Sequence, residues 1–132
     1  MHVVICLDER DGISFNNRRL SSDKAVYQRI FAQHSGKLWM NSYSAKLFAE
    51  MDVCVNDAFL NHAAAEDTCF VESLDFVDFL PHTVSITVYR WNRHYPSDVK
   101  FPQSLLKSWT LKERKDFAGN SHEIITEERY VK

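Results

Sequence analysis

The side chains best suited to chemistry are concentrated in residues 8–23, DERDGISFNNRRLSSD. Within it, Asn16-Asn17-Arg18-Arg19 sets two guanidinium groups side by side, and guanidinium makes bidentate contacts to phosphate or carboxylate. The stretch closes on Asp23, which two roles suit. A carboxylate there can take the free amide hydrogens of a helix start. In an apolar pocket it can instead bind the N–H donors of a ligand and assist a proton transfer. The plainer reading of the asparagines and arginines is a solvated loop with turn-forming residues.

Other patterns are weaker. The run Arg90-Trp91-Asn92-Arg93-His94-Tyr95 interleaves cations with aromatics, an arrangement able to stack single-stranded bases, or simply a strand end. The chain carries a formal net charge of −2 and has a pI near 6.3. That gives no bulk attraction to nucleic acid or anionic membrane, so a nucleic-acid partner is not expected. The six histidines show no metal-ligand spacing, and no metal is expected. Ser121-His122-Glu123 are neighbours in sequence, which supports no triad, because such groups converge in space. Phosphate-cradling glycine motifs are absent from the sequence.

These residues need elements to position them. A chain of 132 residues can bury a core without metal or disulfides, and one domain spanning 1–132 is expected. The three cysteines are an odd number and two of them lie in apolar runs, which reads as reduced, buried thiols in a cytoplasmic protein. No signal-peptide pattern and no apolar stretch of bilayer length stand out.

Val3 to Leu7 is a continuous apolar run, the pattern of a strand covered on both faces. Residues 8–20 read as loop. Ser21-Ser22-Asp23 starts an amphipathic helix carrying Ala25, Val26 and Ile30, which Gly36 ends. Short strands follow at residues 37–40, 53–55 and 69–71. Between them fall a helix from Ser42 to about Glu50 and a helix-like piece over residues 57–66. Residues 74–80 have mixed helix-like spacing and stop at Pro81. Residues 84–91 alternate as a half-buried strand, residues 92–103 are a polar excursion, and two long strands form a C-terminal hairpin. The class predicted is α/β, a three-layer sandwich with a mostly parallel central sheet, helices on both faces and an antiparallel C-terminal hairpin.

This succession resembles dihydrofolate reductase over nearly the whole chain. Leu20-Ser21-Ser22-Asp23 falls where that family has Leu-Pro-x-Asp, with Tyr27 one turn on. Met40-Asn41-Ser42-Tyr43-Ser44 takes the place of Met-Gly-Arg-x-Thr. Phe70-Val71-Glu72-Ser73-Leu74 stands for the strand and Gly-Gly turn, and Asp98-Val99-Lys100-Phe101-Pro102 matches an Asp-x-x-Phe-Pro turn. The resemblance implies a cleft in which Asp23 binds and polarises a pterin-like ring. Leu7, Asn17, Arg18, Arg19, Tyr27, Met40, Ser44 and Tyr89 would bind the ligand. Ser42, Val71 and Ser73 would contact NADPH.

The departures from the family concern the cofactor half. Asn41, Glu72 and Ser73 replace glycines that let backbone approach the cofactor, and Glu72 sets negative charge against a pyrophosphate. Ser42 replaces a phosphate-binding arginine, and Tyr89 replaces a threonine behind the pterin carboxylate. Relative to the family, one strand and its loop are missing between Met51 and Thr68. The expectation is a small planar or anionic ligand, pterin- or nucleotide-like, bound near Asp23, with NADPH-dependent reduction absent or weak. The rival expectation is a non-enzymatic protein- or RNA-binding module.

Overall fold

The computed structural model describes residues Met1–Lys132. Its centre is β1 (His2–Leu7), whose Val3, Ile5 and Leu7 are fully buried on one face while Val4 is buried on the other. Parallel strands are typically covered on both faces, and the neighbours of β1 are parallel to it. They are β6 (Thr68–Val71) and β7 (Ser85–Arg90), each parallel to β1. Outside β6 lie β4 (Leu38–Met40) and β5 (Cys54–Val55), also parallel. On the other side β10 (Ile124–Val131) runs antiparallel to β7 and pairs with the edge strand β9 (Thr110–Ala118). The sheet order is β5-β4-β6-β1-β7-β10-β9. No helix is long and apolar enough to cross a membrane.

One face is covered by α1 (Lys24–Gln33) and the short α2 (Ser42–Ala45), whose core contains Val26, Tyr27, Ile30, Leu38, Met40, Phe48 and Phe70. Burying a residue such as Val26 or Ile30 contributes about 1.5–3 kcal/mol. Helix α1 ends at Gln33 with His34 as an extended C-cap; Gly36, predicted to end it, takes its φ of +61° in the turn beyond. The opposite face is covered not by α-helices but by 3-10 turns at Phe59–Asn61 and Asp75–His82. Pro81 lies inside the second turn and has no amide hydrogen to extend it as an α-helix. In the predicted helix over residues 57–66, the Ala64 amide donates instead to Asp67 Oδ2, closing a turn where an α-helix would have continued.

Two further expectations need correction. Strand β7 is not half-buried: Ser85, Ile86, Val88 and Tyr89 are all buried, because α1 and the 3-10 turns cover both its faces. Residues 8–20 are not an irregular loop. They contain a hairpin of β2 (Gly12–Phe15) and β3 (Arg18–Arg19), with β8 (Val99–Lys100) pairing on its outer side. Asn16 and Asn17 have φ of +52° and +61°. Two left-handed residues between paired Phe15 and Arg18 make the tight turn whose twist suits a hairpin, and asparagine tolerates that region better than most residues.

Candidate functional site

Asp23 is the N-cap of α1, and its Oδ1 accepts from the Ala25 amide at 2.9 Å. The tip of the β9–β10 hairpin closes over the same carboxylate. The amides of Asn120, Ser121 and His122 donate to it at 2.9, 2.9 and 3.1 Å, and His122 Nδ1 lies 2.9 Å from Oδ2. Burial alone would raise the pKa of this acid. The donated hydrogen bonds from Asn120, His122, Ser121 and Ala25 outweigh it and hold the carboxyl far below the usual range. Gly119 is required by the same closeness, since a Cβ there would sit 2.6 Å from Asp23 Oδ2. Asp23 therefore stands at the helix start as predicted, with both oxygens engaged by internal donors.

The imidazole of His122 extends the cluster. Its Nε2 lies 3.0 Å from Ser21 Oγ and 3.2 Å from the Tyr95 hydroxyl, and Trp91 stacks on the ring at 4.9 Å. Tyr95 is itself placed by its amide, which donates to the buried Asp8 carboxylate at 3.1 Å.

Beside Ser21, where the resemblance implies a cleft, lies a small recess bordered by Cys6, Arg19, Tyr27, Val71, Glu72 and Trp91. Its volume is about 10 Å³, room for at most one water. Two side chains fill it. Arg19 Nε and Nη2 donate to Glu72 Oε2 and Oε1 at 2.9 and 3.0 Å, and the guanidinium lies 4.2 Å over the Tyr43 ring. Ser44 Oγ donates to the same Glu72 at 2.7 Å. This bridge ties the β2–β3 hairpin to the end of β6 and to α2. The hydrogen bond to Glu72 raises the pKa of Arg19, and burial raises those of Tyr27 and Cys6.

The ground expected to meet a cofactor is also engaged internally. Asn41 caps α2 through the Ser44 amide at 2.8 Å. Asp57 Oδ1 accepts from the Ser42 amide and hydroxyl at 3.0 and 2.9 Å. Ser73 Oγ accepts from the Asp75 amide, and Asp75 and Asp78 lie in the first turn that follows.

The structure thus brings Arg19, Tyr27, Ser44 and Val71 to one cleft edge and sets Asp23 behind Ser21. It does not bring the rest there. Leu7 is buried in the core of the opposite face, and Met40 lies inside the α1-side core. Tyr89 donates to Glu127 at 2.7 Å, away from Asp23. Asn17 and Arg18 are exposed on the hairpin. The Arg90–Tyr95 run is not a stacking surface: Arg90 pairs with Asp11 and Glu128 at 2.8 Å each, and Trp91 is buried. Sequence reading missed Ser21, Tyr95 and His122 as a group. Ser21 and His122 are separated by 101 positions, and only closure of the terminal hairpin unites them. No group of three His, Cys, Asp or Glu side chains is placed to hold a metal ion.

Neither a family model nor a curated sequence matches this chain. Among solved structures it is similar to dihydrofolate reductase from Enterococcus faecalis complexed with NADP(H) and RAB-propyl. That match has a TM-score of 0.70 at 11% identity and covers 98% of this chain and 94% of the other. The chain has a dihydrofolate-reductase-like α/β fold.

Proposed function

We propose that this protein is a binding protein on the dihydrofolate reductase fold, taking a small planar, anionic ligand of pterin or nucleotide size into the cleft beside Ser21. The observation that carries this is the Arg19–Glu72 bridge. A hairpin guanidinium whose partner is a single side-chain carboxylate at the end of β6 can exchange that carboxylate for a ligand anion. Tyr27 and Trp91 border the same point and give it an aromatic wall. Asp23 belongs to the scaffold in this reading, because its oxygens have no lone pair left facing the cleft.

NADPH does not fit the residues present. The α2 start that would meet a pyrophosphate is already matched by Asp57, and Glu72, Asp75 and Asp78 place further negative charge close by. Bringing phosphate there means breaking those hydrogen bonds and opposing like charges. NADP(H) is bound by the similar Enterococcus faecalis enzyme, and the acidic groups named here are what separate this chain from that activity.

Thermal melting with added ligand tests the proposal. A folate analogue or a purine nucleotide raises the melting temperature, since at a hundredfold excess over Kd a ligand adds about 2.7 kcal/mol. NADPH alone leaves it unchanged, and dihydrofolate with NADPH shows no loss of the nicotinamide absorbance. Stabilisation by NADPH together with its oxidation would establish a reductase and overturn this reading.

A further inference from the structure

Three side chains form a continuous hydrogen-bonded line from buried carboxylate to imidazole to the hydroxyl at the cleft edge. Asp23 Oδ2 lies 2.9 Å from His122 Nδ1, and His122 Nε2 lies 3.0 Å from Ser21 Oγ. With the carboxylate ionised, Nδ1 carries the ring proton toward it, and Nε2 is left as an acceptor for hydroxyls; this tautomer is assigned from the partners. The ring cannot turn freely, because Trp91 stacks on it with planes 23° apart and it is almost wholly buried. The Tyr95 hydroxyl lies 3.3 Å from Ser21 Oγ. Ser21 itself is half-buried and borders the cleft.

This is the arrangement that makes a serine nucleophilic, and it is recognised by geometry and roles, not by order along the chain. Anchoring the hairpin tip does not need the imidazole, since the amides of Asn120, Ser121 and His122 already bind Asp23. What the imidazole adds is a base facing Ser21. We propose that Ser21 is the nucleophile of an acyl-transfer site that hydrolyses small carboxylic esters, with His122 as its general base, Asp23 orienting His122, and Tyr95 donating to the carbonyl oxygen.

In the first half-reaction Ser21 Oγ bonds to the ester carbonyl carbon while its proton passes to His122 Nε2. The Tyr95 O–H stabilises the negative charge that develops on the carbonyl oxygen. The tetrahedral species collapses by breaking the bond to the alcohol oxygen, and the alcohol leaves with the proton from Nε2. Water then attacks the acyl carbon, gives a proton to Nε2, and collapse releases the carboxylic acid as Ser21 recovers its proton. One ester and one water become one alcohol and one acid, with nothing oxidised or reduced. Asp23 stays ionised throughout and stabilises the imidazolium.

The inference rests on the binding reading in one respect: the Arg19–Glu72 bridge must part for an acyl group to enter. Its test uses the whole protein with p-nitrophenyl acetate and, separately, with a fluorophosphonate. Expected are one phosphonyl adduct mapping to Ser21 and ester hydrolysis that falls on the order of a hundredfold or more in Ser21→Ala and in His122→Gln. Tyr95→Phe lowers kcat more than it raises KM. If either loss variant fails to fold, adduct mapping on the wild type decides alone. No adduct, an adduct elsewhere, or hydrolysis unchanged in folded Ser21→Ala overturns the proposal. Wild-type protein that takes the label at Ser21 yet is stabilised by no planar anion would sink the binding reading alone. Stabilisation without labelling would sink the acyl-transfer site alone.

Discussion

Oδ2 of Asp23 and Nδ1 of His122 lie 2.9 Å apart although 99 positions separate them in the chain. Both residues are buried, at 1% and 4% exposure. Through this contact the start of α1 and the tip of the last hairpin become one unit.

Replacing Asp23 with Asn leaves the shape but turns an acceptor-only group toward four amides into a partial donor. We expect a loss of about 3 kcal/mol, combining a helix cap with charge-assisted hydrogen bonds in a buried place. Urea titration of both proteins measures it. A change under 1 kcal/mol would contradict the account of Asp23 as a buried anchor.

The pH dependence follows from the same carboxylate. Its folded pKa is depressed below the unfolded value near 3.9, so its contribution is fully present above that value. It is lost as pH falls toward the folded pKa. Asp8, Asp67 and Glu127 are lowered too, so stability of the wild type should decline progressively below about pH 4–5. Asp23→Asn should show a shallower decline over the same range, and parallel curves would refute the assignment.

Gly119 provides a steric check that changes no charge. A Cβ there would meet both Asp23 Oδ2 and the His122 carbonyl oxygen at 2.6 Å. Gly119→Ala should therefore destabilise by about 1–3 kcal/mol, as overpacking does. The tip must lift to admit the methyl group, so exchange of the Asn120, Ser121 and His122 amides should also quicken. Unchanged protection would show that the tip is not held as described.

At the β2–β3 turn the backbone separates two roles for Asn17, ligand contact and conformation. Asn17→Ala forces alanine into the left-handed region, at a cost of about 1–2 kcal/mol. Asn17→Gly should be neutral or slightly stabilising. A glycine variant that keeps its stability but loses ligand binding would assign the side chain to the ligand instead.

Glu72→Gln tests the bridge across the cleft. The pair is largely shielded, with side chains 23% and 16% exposed, so losing its charge should cost about 1–2 kcal/mol. Hydrogen exchange should increase in residues 12–20 while β1 and β7 remain protected. Equal acceleration in the central strands would mean that the hairpin is not an independently opening segment.

The parallel heart of the fold was legible because β1 is apolar without interruption and strand-helix units succeed one another in order. The helix start at Asp23 was legible for a local reason, a capping carboxylate, whereas the helix ends in an extended His34, ahead of the positive-φ Gly36. Strand β7 misled because Ser85 and Tyr89 look solvent-facing by type. They are buried since Ser85 pairs with His2 and Tyr89 with Glu127, at 2.6 and 2.7 Å. The Ser21–His122 contact could not be read at all, because it depends on where a long hairpin ends in space. The closure of the cleft was half legible: Glu72 stood out as misplaced for a phosphate, while its partner Arg19 came into view only with the hairpin.

The link between Asp23 and the hairpin tip also sets an order of events while the chain is being made. Asp23 leaves the ribosome 97 to 99 positions ahead of the three amides it will bind. At 5–20 residues per second that is a wait of roughly 5 to 20 seconds. Through that interval α1 has only its own cap, and the imidazole that faces Ser21 does not yet exist. A chain cut short before residue 119 would remain in that condition permanently, able to pair β1 with β6 and β7 but never to assemble the site.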